Sequence, residues 1–590
     1  MRLKQASLLF FIVILLFPFD TFSQKTEDVK TALKGFDDYV EQVMNDWQVP
    51  GLAIGIVQNG KIVYTKGYGF RNKISKMPVT DNTLFAIGSC TKAFTAATIA
   101  QAVDNGLLDL DEPIKTYMPS FKMQNTYVTD NLTLRDILCH RSGLPRHDMV
   151  WYGSDKTREE LVASLAVLES TADFRTAWQY QNLLYATAGY VVGQVNKTTW
   201  EAYLKEEILK PLRMTNTNFS VEAMQKQKDF ALPYDLKNEE IRQIPFRSIN
   251  GIGPAGSINS NVKDMSNWLR MQLNNGKFED KEIVSINSFK PMHQPQMTMP
   301  GSLEEDELFF RSYGMGWMLT SYRGHFRSEH GGNIDGFSAN VGLLPRDGIG
   351  VVILTNMNGT PVPSIIRNNV FDRFLGLGQI DWNLRFLNTQ AKSKQVKAEI
   401  ETENDPIQKK NTIPTHATEE YLGIYEHPAY GKIEITQQDG QLELIMKGEL
   451  VELEHYHYDV FKIKNGLLEN TKFAFGMNKD GDIYEISASL QAGVNDIVFE
   501  RQPDVGDFDI NIYVGKYELA GQVVNFYKEG DLIKLDVPGQ PTYTLVPQKE
   551  HQFSIKGVTG FAIIFNVENG NLAESVIFNQ PSGVFTAKRR

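Results

Sequence analysis

The chain has 590 residues, of which 42 % are hydrophobic and 22 % charged, and its formal net charge is -11. This length exceeds the roughly 250–300 residues at which a single hydrophobic core stops growing, so we expect two or three domains. The acidic balance argues against a nucleic-acid partner, because phosphate binding depends on clustered Lys and Arg side chains.

The first residues have the pattern of a secretory signal peptide. The basic start MRLK precedes the apolar run ASLLFFIVILLFPF, and Thr21 and Ser23 have the small-residue spacing of a signal-peptidase site. We therefore predict a signal peptide over residues 1–23 and an exported protein, either periplasmic or secreted. The apolar run of about 14 residues is shorter than the roughly 20 that span a bilayer, so no stable membrane insertion is expected after cleavage. An uncleaved anchor is the alternative.

Two predicted hairpins enclose a helical middle in the first large domain, residues 27–390. The segment GLAIGIVQNGKIVYTKGYG, from Gly51, has the hairpin signal Asn-Gly between two apolar runs. A second hairpin is predicted in SANVGLLP and GIGVVILTN, joined by a turn at Arg346. Helical patterns lie between them, over Thr91–Asn105 and from Thr157. The order predicts one antiparallel sheet assembled from both ends of the domain.

The stretch AIGSCTKAFTAATIAQAV, from Ala86, contains a single charged residue, Lys92, three positions after Ser89. Residues at i and i+3 share one face of a helix, and apolar residues cover most of this predicted helix, which indicates burial. Two interpretations follow. Either the lysine extends its stem and places its amine in water, or it is a desolvated base that takes the proton of Ser89.

The second half of the chain has a different composition and a different pattern of predicted elements. Residues 391–418 lose their aromatic residues and gain charge, which is typical of a linker. Short alternating strands with Gly, Asp and Asn turns follow, and YLGIY from Tyr421 is echoed by YVGKY from Tyr513. We therefore predict two β modules, over residues 419–505 and 506–590.

The cysteines and histidines give no sign of a metal site. Cys90 and Cys139 are the only cysteines, and they form either one disulfide or two free thiols. His455 and His457 are predicted to be a surface pair, because no third ligand lies near them in the sequence. The motifs His-Glu-x-x-His, Gly-x-Ser-x-Gly and Ser-Asp-Asn are absent. We expect neither a metal nor an organic cofactor.

Six segments occur in an order that is characteristic of one superfamily. They are FAIGSCTKAFTAATIA, LTLRDILCHRSGLPRH, WQYQNLLYATAGYVVGQV, GPAGSINSNVKDMSNWL, YGMGW and EHGGNIDGFSANVGLLPRDGIGVVILTN. This set, over about Phe36 to Leu375, resembles the serine hydrolases of the penicillin-binding-protein and class C β-lactamase type. The resemblance implies an α+β fold, with an antiparallel sheet flanked by helices. The C-terminal part resembles the lipocalin-like antiparallel β-barrel modules, one or two in number, that follow this domain in some members.

The resemblance assigns roles to four positions in the first two motifs. Ser89 matches the acylated nucleophile, and Lys92 matches its partner in Ser-x-x-Lys. In the second motif, Tyr-x-Asn, Tyr180 would relay a proton between nucleophile and leaving group. Asn182 would bind Lys92 or a substrate carbonyl.

The third motif departs from the lactamase pattern, because His330-Gly331-Gly332 stands in place of Lys-Thr-Gly. His-x-Gly is found in D-aminopeptidase-like enzymes and some esterases of the superfamily. The glycines would let substrate approach the strand, and the amide of Asn333 would form an oxyanion hole with that of Ser89. A histidine with an ordinary pKa is only about a quarter charged at pH 7. A substrate carboxylate is therefore a less favoured anchor than in enzymes with lysine here.

Together with the predicted signal peptide, the resemblance implies an exported serine hydrolase that forms an acyl-enzyme at Ser89 and cleaves amide or peptide bonds, with D-amino-acid-containing peptides among the candidate substrates. A carboxylesterase or a β-lactamase of the same superfamily is the alternative within this class. A non-catalytic protein that binds or senses cell wall is the alternative from another class. The expected partner is a small peptide, amide or ester substrate, and the sequence leaves the oligomeric state open.

Overall fold

The computed structural model describes residues 28–301, 306–402, 408–503, 509–519, 521–530, 532–568 and 572–590. The predicted signal peptide, residues 1–23, lies outside this part of the chain. The chain divides into two compact units. Unit 1 comprises the described residues up to Asp111 together with Ala188–Gln395, and unit 2 comprises Glu112–Thr187 with the described residues of Val396–Arg590.

The helices concentrate between the two predicted hairpins and after the second one. In chain order they are α1 Val29–Ala32, α2 Phe36–Asp46, α3 Thr91–Asp104, α4 Ile114–Tyr117, α5 Thr126–Asn131, α6 Leu134–Leu138, α7 Arg158–Ser164, α8 Asn182–Val195, α9 Trp200–Leu204, α10 Val221–Gln225, α11 Gly253–Gly256, α12 Val262–Leu273, α13 Ile286–Phe289, α14 Val362–Phe374, α15 Trp382–Thr402 and α16 Thr418–Tyr421. Within the described ranges, none of them is long and apolar enough to cross a membrane.

Helix α15 runs into the segment that composition assigns to a linker from residue 391. Its sequence there is rich in Ala, Lys, Gln and Glu, which are strong helix formers. The loss of aromatic residues indicates that no core face is present, but it does not prevent a solvated helix from forming.

Unit 1 is built on one antiparallel sheet flanked by helices. Its strands are β1 Gly51–Gln58, β2 Lys61–Asn72, β3 Met77–Pro78, β4 Phe85–Ala86, β5 Tyr234–Lys237, β6 Glu240–Gln243, β7 Asn259–Ser260, β8 Lys277–Phe278, β9 Lys281–Glu282, β10 Met297–Thr298, β11 Leu308–Tyr313, β12 Met318–Tyr322, β13 His325–Ile334, β14 Phe337–Leu344 and β15 Ile349–Thr355. Nine of them form the order β10-β11-β12-β13-β14-β15-β1-β2-β3. The two predicted hairpins are β1-β2 and β14-β15, and β1 pairs with β15. The predicted assembly of one sheet from both ends is confirmed.

The core of unit 1 lies on both faces of the central strands. Strands β1, β14 and β15 are buried along their whole length. Ile54 and its cross-strand partner Ile353 belong to one apolar cluster with Ile365 of α14. The next residue of β1, Gly55, faces the opposite way and lies against Ser266 of α12. Such two-sided burial explains why these strands read as continuous apolar runs rather than as alternating patterns.

Unit 2 contains two closed eight-stranded β-barrels. Barrel 1 consists of β16 Gly423–His427, β17 Gly431–Gln438, β18 Gln441–Met446, β19 Glu449–His457, β20 Val460–Ile463, β21 Lys472–Met477, β22 Ile483–Ala488 and β23 Ile497–Arg501. Barrel 2 consists of β24 Gly515–Leu519, β25 Gln522–Glu529, β26 Leu532–Asp536, β27 Tyr543–Lys549, β28 Gln552–Ile555, β29 Val558–Asn566, β30 Ser575–Gln580 and β31 Gly583–Arg589. The α+β class with two barrel modules is thereby confirmed.

The sequence echo between the barrels corresponds to a shared local structure. The hydroxyl of Tyr425 donates to the carbonyl of Tyr421 at 2.9 Å, and that of Tyr517 donates to the carbonyl of Tyr513 at 3.0 Å. All four tyrosines are buried, and their rings contact other core aromatic side chains. Each barrel therefore closes around a packed aromatic core.

The helical segment Glu112–Thr187, which the sequence assigns to the hydrolase domain, groups with the barrels in unit 2. Within it, Asp136 is buried, takes part in the capping box of α6 and accepts hydrogen bonds from Arg141 at 2.6 Å and Arg175 at 2.7 Å. Burial alone would raise the pKa of Asp136, but the two guanidinium groups outweigh it and lower the pKa. The segment thus contains a buried carboxylate that pairs with two arginines of the same segment.

Candidate active site

Ser89 and Lys92 lie at the start of a buried helix. Ser89 belongs to a single 3₁₀ turn, Gly88–Cys90, that leads directly into α3. The Nζ of Lys92 donates to Ser89 Oγ at 3.1 Å. The lysine side chain is 0 % exposed, whereas Ser89 is partly exposed. The amine therefore does not reach water, and of the two interpretations of Lys92 the structure favours the one that pairs it with the serine.

Helix α11 holds the lysine from the other side. The carbonyl of Ala255 accepts a hydrogen bond from Lys92 Nζ at 2.8 Å. One turn further along α3, Thr95 Oγ1 donates to the carbonyl of Pro254 at 2.6 Å. These contacts fix the lysine stem between two helices, so its amine is preorganised toward Ser89 before any substrate binds.

Strand β13 approaches the nucleophile turn so closely that only glycine fits. A Cβ atom on Gly332 would lie 1.9 Å from the carbonyl oxygen of Ile87 and 3.1 Å from the amide nitrogen of Ser89. A Cβ atom on Gly88 would lie 2.7 Å from the amide nitrogen of Asn333. The two glycines thus bring the backbones of Ser89 and Asn333 together. Two amides at one point beside a nucleophile are the donors that an oxyanion hole requires.

One edge of β13 is incomplete near the nucleophile turn. Strand β12 pairs with β13 only as far as Glu329, whereas β14 pairs with it to Ile334. Beyond Glu329, the edge of β13 to which β12 pairs has no strand partner among the described residues. Gly331 is partly exposed there, and Asn333 is exposed. An incomplete sheet edge of this kind can accept the backbone of a peptide as an added strand.

His330 differs from the expected partly charged, substrate-facing histidine. Its side chain is 1 % exposed, and its Nδ1 lies 2.6 Å from the carbonyl of Gly331, which can only accept. The proton therefore resides on Nδ1, and Nε2 accepts from the hydroxyl of Tyr313 at 2.9 Å. Burial lowers the pKa of His330 to about 3. The imidazole is thus neutral at pH 7, which corrects the expected quarter charge.

Tyr180 and Asn182 belong to unit 2, whereas the other predicted site residues belong to unit 1. The ring of Tyr180 lies 4.3 Å from that of His140 and beneath the guanidinium of Arg146. Asn182 is the first residue of α8, and its Nδ2 donates to the carboxylate of Asp148 at 2.8 Å. Since a carboxylate only accepts, this bond determines which way the Asn182 amide faces.

Three supporting residues were missed by the sequence argument. Tyr313 holds His330, His140 Nδ1 accepts from the backbone N–H of Gln181 at 3.0 Å, and Asp148 holds Asn182. Tyr313 begins the quoted segment YGMGW, and His140 lies in LTLRDILCHRSGLPRH. Tyr313 and His140 therefore lie in segments that carry the family resemblance, but the resemblance did not indicate which residues they contact.

The two cysteines and the pair His455 and His457 have structural contacts. Cys90 and Cys139 are free thiols in the interior, and burial raises the pKa of each to about 12. His455 lies 2.9 Å from the carbonyl of Tyr458, and His457 accepts from the backbone of Lys409. Across the described part of the chain, no group of three or more His, Cys, Asp or Glu side chains could hold a metal ion.

The chain matches known families and proteins over both halves. The family model described as beta-lactamase matches residues 36–370, and a model described as a domain of unknown function (DUF3471) matches residues 408–501. An unguisins hydrolase of Aspergillus campestris is 28 % identical over 436 residues, covering 70 % of this chain and 79 % of that protein. Protein flp of Staphylococcus aureus is 27 % identical over 345 residues, covering 56 % and 64 % respectively.

Solved structures show the same fold. The octameric penicillin-binding protein homologue from Pyrococcus abyssi superposes with a TM-score of 0.54 at 24 % identity, covering 79 % of this chain and 100 % of that chain. The hydrolase EstCE1, described as having promiscuous acyltransferase activity, superposes with a TM-score of 0.51 at 18 % identity, covering 59 % and 99 % respectively. Since the beta-lactamase model spans more than half of the chain, this protein belongs to the beta-lactamase family and is a serine hydrolase.

Proposed function

We propose that the protein is an exported acyl-transferring hydrolase that cleaves amide or peptide bonds through an acyl-enzyme at Ser89. The observation that carries this proposal is the buried amine of Lys92, 3.1 Å from Ser89 Oγ at the start of a helix. A serine hydroxyl is a weak nucleophile until a neighbouring base takes its proton. The positive end of the α3 dipole adds to the stabilisation of negative charge beside Ser89.

The proposed reaction has two halves. Ser89 Oγ attacks the carbonyl carbon while its proton passes to Lys92, and the amides of Ser89 and Asn333 hold the oxyanion. The carbon–nitrogen bond then breaks, and the proton passes to the leaving amine through Lys92 or Tyr180. Water attacks the acyl-enzyme, gives up a proton to the same base and releases the acid with Ser89 restored. Tyr180 and Asn182 are given roles in this reaction because they match the second motif, Tyr-x-Asn.

Two features support a peptide or amide substrate over the alternatives. The incomplete edge of β13 offers backbone hydrogen bonds that a peptide can use and a simple ester uses poorly. His330 is neutral and buried, so the third motif offers no cation from this position for the carboxylate of a β-lactam or a C-terminal residue. The preference for D-residues rests on the resemblance to D-aminopeptidase-like enzymes.

A substrate panel tests the proposed activity. We expect wild-type protein to hydrolyse aminoacyl p-nitroanilides, with D-aminoacyl substrates faster than their L-enantiomers, and Ser89→Ala to be inactive on both. Faster turnover of short p-nitrophenyl esters would favour the carboxylesterase alternative, and turnover of a cephalosporin would favour the β-lactamase. Binding of cell-wall fragments without any turnover would favour the non-catalytic alternative.

Export is proposed from the N-terminal sequence alone. Cell fractionation followed by N-terminal sequencing of the mature protein tests it. We expect the protein outside the cytoplasm with Gln24 as its first residue. A cytoplasmic protein that retains Met1 would contradict this part of the proposal.

A further inference from the structure

Three connections of barrel 1 contact the helical segment of unit 2. They join β16 to β17, β18 to β19, and β22 to β23. Because the strands form a consecutive antiparallel barrel, alternate connections lie at the same end of it. Three of the four connections at one end of barrel 1, rather than one chance loop, therefore contact the segment Glu112–Thr187.

The contacts at this end are specific hydrogen bonds. Lys156 Nζ donates to the carbonyl of Ala429 at 2.6 Å, between β16 and β17. Lys447, between β18 and β19, donates to the carbonyls of Tyr152 and Met149. Gln491, between β22 and β23, accepts the backbone N–H of Asp148 at 2.8 Å. All three connections thus reach one short stretch, residues 147–156, which we call the motif-support loop.

A buried histidine adds a further contact between barrel 1 and the motif-support loop. His147 Nε2 lies 3.2 Å from the carbonyl of Glu169, which can only accept, so Nε2 holds the proton. Its Nδ1 then accepts from the hydroxyl of Tyr430 at 2.7 Å. Both side chains are buried. Burial lowers the pKa of His147, which keeps the ring in the neutral form that this bond needs.

Asp148 joins the motif-support loop to the second motif. Its backbone N–H is held by Gln491, and its carboxylate accepts from Asn182 Nδ2 and from Trp151 Nε1, each at 2.8 Å. The other carboxylate oxygen pairs with Arg146. A path of direct hydrogen bonds therefore runs from barrel 1 to Asn182 through one residue.

We propose that barrel 1, the part of the chain that matches the domain of unknown function, positions the second motif by holding Asp148 against Asn182, with Gln491 and Tyr430 as the positioning residues. This inference rests on the proposed function, because it matters to catalysis only if Asn182 takes part in acylation at Ser89. Loss of either barrel contact loosens the loop, and the Asn182 amide then samples orientations that do not support the nucleophile.

The test is the rate at which a fluorophosphonate probe labels Ser89 in the full chain. We compare wild type with Gln491→Ala and Tyr430→Phe, and with Gln438→Ala as the matched control. Gln438 lies at the end of β17, beside the connection to β18 at the other end of barrel 1, and is exposed. We expect labelling to slow about fivefold in each interface variant, the equivalent of one hydrogen bond, and to stay unchanged in the control.

A double-mutant cycle separates positioning from a general loss of structure. If Gln491 acts through Asn182, Gln491→Ala has no further effect in an Asn182→Ala background, although each single variant is slow. Additive losses, or interface variants that label at the wild-type rate, would overturn the inference. Tyr430→Phe removes one oxygen atom, so it decides the matter if Gln491→Ala does not fold. A wild-type chain that is never labelled would instead overturn the proposed function, and the inference with it.

Discussion

Replacing Gly332 by alanine should remove the oxyanion hole without removing any hydrogen-bonding group. The new Cβ would lie 1.9 Å from the carbonyl oxygen of Ile87, and ordinary contact begins at 3.4 Å. The three nearest atoms all belong to the backbone of the turn, so β13 and the nucleophile turn must separate by about 1.5 Å. Oxyanion donors act at about 2.7–3.1 Å, and losing one costs about 10²–10³ in rate. We expect a fall of that size in kcat/KM on the best substrate, measured per folded molecule.

The adjacent glycine provides the comparison. A Cβ on Gly331 would have its nearest neighbours at 3.8 Å, an ordinary contact distance. Gly331→Ala should therefore lose much less rate than Gly332→Ala, although both changes add one methyl group to the same motif. Circular dichroism and urea unfolding establish the folded fraction of each variant. Equal losses in the two variants, or a wild-type rate for Gly332→Ala, would refute the proposed close approach as the reason for the glycine.

Three further predictions concern the amine of Lys92, the carboxylate of Asp136 and the buried histidines. Lys92→Met, which keeps an unbranched side chain as far as Cε but lacks the amine, should slow Ser89 labelling by about 10²–10⁴; a wild-type labelling rate would contradict the base role. Asp136→Ala should lower the free energy of unfolding in urea by about 3–5 kcal/mol, because it leaves two guanidinium groups without their carboxylate, whereas Asp130→Ala, from an exposed pair, should cost less than about 1 kcal/mol. Burial lowers the pKa of His293 and of His330 to about 3, so the unfolded chain binds protons below pH 6.5 that the folded protein excludes. As the pH is lowered below 6.5, the free energy of unfolding should therefore decrease by about 1.4 kcal/mol per pH unit for each histidine. His293→Gln should reduce this dependence, and a variant whose free energy of unfolding changes between pH 6 and 5 as steeply as that of wild type would contradict the prediction.

Local patterns predicted the parts of the fold that depend on neighbours in sequence. Turn signals and apolar runs predicted the hairpins β1-β2 and β14-β15, and the small apolar residues after Ser89 predicted the buried helix α3. The spacing of Ser89 and Lys92 was sufficient to predict their contact, because three residues of helix bring both side chains to one face.

Contacts between distant segments could not be predicted in the same way. The charge state of His330 depends on its burial, and its Nε2 is held by Tyr313, seventeen residues away in the chain. The grouping of Glu112–Thr187 with barrel 1 depends on bonds such as that between Asp148 and Gln491, which are 343 residues apart. Such pairs leave no periodic signal, so a single sequence does not reveal them.

The most direct test of the proposed chemistry is the intact mass of wild type and Ser89→Ala after exposure to a fluorophosphonate. A single adduct on wild type and none on Ser89→Ala is the expected result, since only an activated serine reacts. An unmodified wild type would show that the amine of Lys92 does not activate Ser89. Equal adducts on both proteins would place the reactive nucleophile elsewhere and contradict the assignment.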